Sequence, residues 1–447
     1  MSAPRIVRAC AAALGVSCVA VAALWLPACG GDETKPPVTA ANANDAGPPA
    51  TVGQGNAAAV PIEHANMSGA AKDAYDRGYK AFQSGDLLGA RQAFTDATRK
   101  DSNSAPSHYA LGTVLDRLGD AAGAQQEYRA AFTAKPDYEP AIGAYALSLA
   151  TGGHTGEADT FLTDKQQKFP NSAAITTYLA EVKSRAGNSG DAQRLAQAAL
   201  AMNPDFKPAM VVIAHDHYRA RRIELANYAL TAILDGFGEL SPARDKDNPD
   251  AHLLRGLIEK ELGLRAAAMA DFDAARAKRT DMVEALIQSG VMKLEAGNML
   301  EATPLLENAV HYAPNSPLAH LNLGDAYRLG GRVADAKKEF DTALAMDSSL
   351  AVAHYDLGLL YLFSPSFPGA SASDQIATAI RELGTYKTMR GGHGTPGSND
   401  DIDELLTRAN AKQAEQKAST ASAAPAAPPP AAAGNANPSA GDAGAKK

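Results

Sequence analysis

The chain has 447 residues, a formal net charge of −8 at pH 7 and three cysteines. An acidic chain argues against nucleic acid or an anionic membrane surface as its main partner. Aromatic residues make up only 6% of the chain, which argues against a large aromatic-lined pocket. Cys10 and Cys18 lie in an apolar N-terminal stretch, so removal of that stretch would leave Cys29 alone and no internal disulfide.

Residues 1–28 have the features of a lipoprotein signal peptide. Arg5 and Arg8 precede an uncharged run that ends in Leu26-Pro27-Ala28-Cys29. This ending resembles a bacterial lipobox, and the resemblance implies that Cys29 carries the lipid and becomes the N-terminus. The alternative is an uncleaved membrane helix, because 18 apolar residues are just enough to span a bilayer.

Residues 29–66 are rich in Ala, Pro, Asn, Thr and Gly and lack periodicity. This composition predicts a disordered, flexible tether. Gly30 rather than aspartate follows Cys29, and an aspartate there signals retention at the inner membrane in enteric bacteria. We therefore expect the lipid to hold the protein on the periplasmic face of the outer membrane.

Residues 67–390 contain an internal repeat of 34 residues, with one step of 42. One alanine series marks its register: Ala90, Ala124, Ala158, Ala192, Ala226, Ala268, Ala302 and Ala336. A series of small residues keeps the same phase: Gly78, Gly112, Ala146, Ala180, Ala214, Gly256, Gly290, Gly324 and Gly358. Two series in phase over most of the chain establish a repeat architecture.

Each unit contains two apolar runs at helical spacing, separated by a glycine such as Gly119. Small residues let two helices approach closely, and a proline such as Pro136 ends the second helix. One helix pair cannot bury its apolar faces alone, so stacked pairs must form a continuous core. The predicted units begin at Ala71, Ala105, Glu139, Ala173, Lys207, Pro249, Val283, Pro317 and Ala351.

The repeat resembles the tetratricopeptide repeat (TPR). The matching residues of the second unit are His108, Leu111, Gly112, Leu115, Ala124, Tyr128, Ala131 and Pro136. The resemblance implies an all-α, right-handed solenoid of about nine helix-turn-helix units that binds other proteins and is not an enzyme.

Two segments interrupt the array. The fifth unit is extended within Gly236 to Asn248, and the ninth is broken by Ser364 to Gly369. Insertions in solenoids form loops that often bind partners, so both are second candidates for a binding site. The composition of residues 391–447 predicts a disordered Ala/Pro-rich tail with a short helix at 400–417.

The sequence offers no convincing catalytic, metal or cofactor site. His108, His252, His320 and His354 share one position of the repeat, which favours packing. His215 and His217 are two residues apart, so on a helix they point in different directions and cannot share an ion. We therefore predict no catalytic residue, no metal and no small-molecule cofactor.

A binding surface remains as the functional site. The TPR resemblance implies that the first helix of each unit lines a concave face. Aromatic and arginine residues are enriched at interface hot spots. Those placed on this face by the resemblance are Tyr75, Tyr79, Phe82, Tyr109, Arg117, Arg185, Tyr218, Arg219, Arg328 and Tyr355.

The layout of lipobox, tether, repeats and tail predicts a lipid-anchored scaffold for protein partners of the outer membrane and periplasm. It resembles the TPR lipoproteins of the adventurous gliding-motility machinery of predatory soil bacteria. Two alternatives stay open: a lipoprotein that activates a cell-wall enzyme, and a receptor for a small ligand or glycan.

Overall fold

The computed structural model describes residues 67–390 and 402–422. These residues form nineteen α-helices and, apart from one isolated β-bridge, no β-structure. The helices are α1 (Gly69–Gln83), α2 (Leu87–Lys100), α3 (Ala105–Arg117), α4 (Ala121–Ala134), α5 (Glu139–Thr151), α6 (Thr155–Lys168), α7 (Ala173–Arg185), α8 (Ser189–Met202), α9 (Lys207–Arg219), α10 (Ile223–Leu234), α11 (Pro249–Glu261), α12 (Arg265–Lys278), α13 (Val283–Glu295), α14 (Met299–Tyr312), α15 (Pro317–Leu329), α16 (Val333–Met346), α17 (Ala351–Phe363), α18 (Ala372–Met389) and α19 (Ile402–Ser422).

The first eighteen helices form nine pairs, each an αα-hairpin packed against the pair before it and the pair after it. The first helix of the second to ninth pairs begins at the residue that the 34-residue spacing predicts, and α1 begins two residues before Ala71. The prediction of an all-α solenoid with nine units is confirmed.

Small residues on the first helix of a pair receive a bulky side chain from the second. A Cβ atom at Gly112 would lie 2.7 Å from the ring of Tyr128, and one at Gly324 would lie 2.6 Å from Phe340. Such distances are too short for any side chain, so the two helices could not keep this separation without glycine. The series of small residues therefore sets the distance between paired helices.

The alanine series lies on the second helix of each pair and contributes to the same contact between the paired helices. All eight alanines have at most 1% of their surface exposed. Ala124 and Ala268 also present their backbone carbonyls to Gly112 and Gly256, at 3.2 Å from a Cβ built there. The register predicted from the sequence is therefore the register of the core.

The turn inside each pair requires a left-handed backbone residue. Gly119, with φ of +79°, and Gly187, with φ of +76°, provide it in the second and fourth units. In the fifth unit Arg221 takes this position with φ of +58°, and it is the one non-glycine residue at positive φ in the described part of the chain.

The extension of the fifth unit is an ordered loop after α10. Gly236 and Pro242 form the isolated antiparallel bridge, and the Phe237 N–H donates to the Ser241 carbonyl at 2.7 Å. The Asp245 N–H donates back to the Ile233 carbonyl of α10 at 2.8 Å. The loop therefore leaves the helix and returns to it before the sixth unit begins.

Helix α19 packs on the last pair. Ile402, Leu405 and Ala409 are buried in the same apolar cluster as α17 and α18. The Lys412 ammonium donates to the Leu362 carbonyl at 3.2 Å. This helix overlaps the segment 400–417 for which the sequence predicts a short helix, and it covers the apolar face that the ninth pair would otherwise leave open.

No helix within residues 67–390 and 402–422 has the length and apolar character of a membrane span. The predicted signal peptide, Cys29 and the tether fall within residues 1–66, outside the described residues. Most of the predicted tail, residues 391–401 and 423–447, also falls outside them. These assignments stay predictions.

Candidate binding surface

The first helices of the units lie on the inside of the curve of the solenoid. Most successive first helices from α3 to α17 approach one another along their backbones, and α11 and α13 are joined by a hydrogen bond from Lys260 to Gln288 at 2.7 Å. Successive second helices approach one another less closely along their backbones, although the Phe132 ring of α4 lies 5.5 Å from the Phe161 ring of α6. Because contact along one side of a stack of hairpins pulls that side together, the row of first helices is the concave side.

Six of the ten predicted contact residues are buried by packing within the repeats. Tyr75 is fully buried and its ring lies 5.3 Å from that of Phe94, whereas Tyr109 is 1% exposed and packs between Tyr128 and Tyr138. The other four buried residues are Phe82, Tyr218, Arg328 and Tyr355. A partner could reach these side chains only if the units repacked, so their placement differs from the expected open surface.

The arginines of the fourth and fifth units are held by a shared carboxylate. Glu181, which is 5% exposed, accepts hydrogen bonds from Arg185 Nε at 2.8 Å and Arg219 Nη2 at 2.7 Å. Burial alone would raise the pKa of Glu181, but the charges of Arg219 and Arg185 outweigh it and keep the pKa well below its usual value. The two arginines join neighbouring first helices.

Other predicted contact residues also have partners within the chain. Arg328 donates from Nε to the Asp325 carboxylate at 2.9 Å, and both side chains are buried. The Tyr218 hydroxyl donates to Glu261, and burial together with that carboxylate raises the pKa of the phenol. These contacts stabilise the repeats rather than leave the side chains available.

Tyr79 and Arg117 remain at the edge of the concave side. Tyr79 is half-buried and its hydroxyl accepts a hydrogen bond from Gln83 at 3.0 Å. The Arg117 guanidinium lies 4.4 Å from the centre of the Phe82 ring and pairs with Asp281 at 2.5 Å. The predicted residues therefore do not form one continuous patch.

The two interrupting segments differ in exposure. Phe237 of the first extension is 49% exposed and stacks at 4.8 Å on Tyr228, which is 65% exposed. In the second segment Phe367 is buried and stacks at 4.2 Å on Tyr361. Only the extension of the fifth unit presents aromatic surface to the solvent.

The repeated histidines join the two helices of a pair. The Nδ1 atom of His320 lies 2.6 Å from Glu339 on the second helix, and Nε2 lies 2.9 Å from the Pro314 carbonyl. His108 and His252 make the same two kinds of contact, and His354 contacts Glu382 at 2.7 Å. This geometry supports the packing role that their shared position predicts.

No group of three potential metal ligands occurs among the described residues. His215 and His217 are separated by Asp216, whose carboxylate accepts hydrogen bonds from Ser189 and Gln193. Burial and the charge of Arg219 lower the pKa of His215. The arrangement binds the fourth unit to the fifth.

A cavity of about 320 Å³ lies where the second and third units approach the sixth, seventh and eighth. One wall is formed by α3, α4 and α5, and the other by the connections before α13 and α15 together with residues of α13, α14 and α15. The side chains of the second wall include Arg279, Asp281, Met282, Val283, Ile287, Tyr312, Asn315 and Leu318.

The 34-residue repeat does not predict this second wall. Its residues lie in connections between units and in the helices beside them, and the repeat pattern places them only relative to their neighbours in the array. No local signal in the sequence indicates that residues some 164 positions apart, such as Arg117 and Asp281, form an ion pair.

Two segments of the chain match models of the tetratricopeptide repeat, residues 75–139 and residues 293–357. The chain contains tetratricopeptide repeats. The two matches fall on the first two units and on the seventh to ninth, where the small and aromatic positions are most regular. TPR arrays bind other proteins, so the repeats of this chain form a protein-interaction module.

One solved structure resembles the fold with a TM-score above 0.5, and others match parts of the chain. The anaphase-promoting complex (APC/C) hetero-tetramer Cut9–Hcn1 matches with a TM-score of 0.51 and 18% identity, over 72% of this chain and 59% of that chain. A TPR protein from Parabacteroides merdae matches with a TM-score of 0.28 and 15% identity, over 77% of this chain and all of that one. PilW, a type IV pilus biogenesis factor, has a TM-score of 0.34 and 18% identity, over 47% of this chain and 94% of its own.

Proposed function

We propose that this TPR protein is a non-catalytic scaffold of the cell envelope, anchored by a lipid on Cys29 and binding protein partners through the concave side of its solenoid. The observation that carries the proposal is the uninterrupted stack of nine helix pairs with all first helices on one side. Such a stack offers a long surface and buries its own polar groups in structural contacts.

The chemistry of that surface favours recognition over reaction. The charged groups of the middle units, Glu181, Arg185 and Arg219, are engaged with one another across neighbouring helices. A rigid row of helices with fixed charges can select a partner at low entropic cost. The partner class that fits is a protein segment or domain of the outer membrane or periplasm.

The gliding-motility machinery is the assembly we propose, because its TPR lipoproteins share the layout of lipobox, tether, repeats and tail. The test is affinity purification of the full-length protein from solubilised membranes after crosslinking in cells, followed by mass spectrometry. Motility proteins of the envelope are the expected main partners. A cell-wall synthase as the main bound protein would replace the scaffold proposal by that of an enzyme activator.

Anchoring has its own test. Cys29→Ser removes the thiol that the lipid would occupy, so the precursor should stay uncleaved and leave the outer-membrane fraction. Incorporation of a labelled fatty acid should be lost in the same variant. Unchanged membrane fractionation together with unchanged fatty-acid labelling would show that Cys29 does not carry the lipid. That result would not affect the proposed binding of protein partners.

A further inference from the structure

The first two units of the array touch the sixth and seventh. Arg117 at the end of α3 pairs with Asp281 before α13, although 164 residues separate them. The His311 Nε2 atom lies 3.2 Å from the Ser84 carbonyl, and the Asn315 amide donates to the Leu118 carbonyl. We call this region, residues 84–85 and 117–119 against residues 281 and 311–315, the seam.

The seam is an exception to the rule that governs repeat proteins. In a solenoid each unit contacts only its neighbours, so the curvature is not fixed by contacts across the array. Here the first two units meet the sixth and seventh. The seam thereby fixes a curvature that stacking alone would leave adjustable.

The contacts across the seam differ from those within the stack. Every buried apolar cluster of the described residues is built from consecutive units, and none crosses the seam. The seam is held by an ion pair, by hydrogen bonds to backbone carbonyls and by side chains around a cavity of about 320 Å³. A contact that is polar and incompletely packed can separate while the units on both sides stay folded.

Two turn glycines let the edges approach. A Cβ atom at Gly85 would lie 2.1 Å from the ring of His311, and one at Gly119 would lie 2.7 Å from the Asn315 amide. The equivalent glycines of the third and fourth units, Gly153 and Gly187, have nothing within 4 Å of such an atom. The close approach is therefore specific to the seam rather than a property of the turn.

We propose that the seam is a reversible clasp that closes the superhelix and thereby restricts access to its concave side. In the closed state the Arg117–Asp281 pair and the His311 and Asn315 contacts hold the first two units against the sixth and seventh. In the open state the stacked pairs relax to a wider curve and expose the row of first helices. The consequence for partner access rests on the proposed function; the clasp itself does not.

The experiment measures the distance between the two sides of the clasp in the full-length protein without any partner. Spin labels on unnatural amino acids replace Leu88 and Leu300, which are 62% and 92% exposed and make no seam contact. Pulsed electron paramagnetic resonance should give one short, narrow distance distribution. Arg117→Glu and Asp281→Arg should each shift the main population to longer distances, and the exchanged pair Arg117→Glu/Asp281→Arg should restore the short one.

Glycine variants provide a matched control. Gly119→Ala and Gly187→Ala place alanine at nearly the same positive φ, so they strain the backbone equally, but only Gly119→Ala adds a methyl group to the seam. We expect the distance to lengthen in Gly119→Ala and to stay unchanged in Gly187→Ala. Unchanged distances in all three seam variants, or a double exchange that fails to restore the short distance, would overturn the clasp. Either result would leave the scaffold function untouched, because no partner enters the measurement.

Discussion

At the scale of single residues, the turn of the fifth unit has a non-glycine residue in the left-handed conformation. Arg221 has φ of +58°, where seven other units have glycine at positive φ. Its exposed side chain pairs with Glu261 at 3.0 Å. A left-handed conformation costs an L-residue roughly 1–2 kcal/mol, and an exposed ion pair returns less than about 1 kcal/mol.

Arg221→Gly should therefore raise the free energy of unfolding by about 0.5–1 kcal/mol, because glycine relieves the left-handed strain. The control is Gly187→Ala at the same position of the fourth unit, which should lower it by about 1 kcal/mol. Chemical denaturation followed by circular dichroism measures both. A destabilised Arg221→Gly protein would mean that the ion pair outweighs the strain.

A carboxyl pair in the sixth unit should make stability depend on pH. Burial and the nearby charge of Asp271 raise the pKa of Glu259 to about 7, whereas the Asp271 carboxylate is held by Arg255 Nη2 at 2.9 Å and His252 Nδ1 at 2.8 Å. A carboxyl group with a raised pKa in the folded state favours folding only while it is protonated. Its contribution is complete below the unfolded value of 4.5 and is lost as the pH rises to about 7.

Glu259→Gln keeps the shape of the side chain but removes its charge. We therefore expect the free energy of unfolding to fall more between pH 4.5 and 7 in the wild type than in Glu259→Gln. Glu239→Gln, at an exposed position of the fifth-unit extension, should retain the fall of the wild type. Denaturation midpoints measured across this pH interval test the difference. Equal pH profiles for wild type and Glu259→Gln would refute the role of Glu259.

At the scale of helices, the separation of each pair depends on alanine and glycine. Ala124 and Ala336 are fully buried beneath the opposing first helix. Ala124→Leu or Ala336→Leu should lower the free energy of unfolding by about 1–3 kcal/mol through overpacking. Ala122→Leu, on the exposed face of the same helix α4, should change it by less than about 0.5 kcal/mol. If Ala124→Leu unfolds at the same midpoint temperature as the wild type, the assigned repeat register is wrong.

Helix α19 should stabilise the end of the array. Leu405 is 5% exposed against the last pair, and neighbouring Glu404 is exposed. Leu405→Ala should lower the stability of the ninth unit by about 2–4 kcal/mol and accelerate hydrogen exchange in α17 and α18. Glu404→Ala serves as the control with exchange unchanged. Unaltered exchange in Leu405→Ala would mean that α19 does not cap the solenoid.

The sequence predicted the helices more completely than the binding surface, and the reason is physical. Helix starts such as Glu139 and Val283 follow from a repeat in which each contact lies between neighbours along the chain. Exposure of Tyr109 or Arg219 depends on partners in other helices, and the repeat position alone does not show them. Tyr109 packs between two further tyrosines, and Arg219 reaches back to Glu181 in the preceding unit.

At the scale of the whole molecule, the contact between the first and the later units could not be predicted from the repeat. Small changes in the angle between successive pairs accumulate along nine units, so the meeting of Arg117 and Asp281 depends on all intervening interfaces. The seam and the concave side are thus properties of the complete array. Variants in the middle units that alter stacking should also change the distance across the seam.

We propose that the row of first helices binds a protein partner. Site-specific photocrosslinking in intact cells tests it most directly, with a photoreactive phenylalanine at Tyr79 or Thr151 on first helices and at Tyr228 or Leu300 on second helices. All four variants should be anchored and folded equally. We predict that the two first-helix positions capture the same envelope protein and that the second-helix positions do not. Capture of that protein from Tyr228 or Leu300 alone would show that the partner binds the second helices instead.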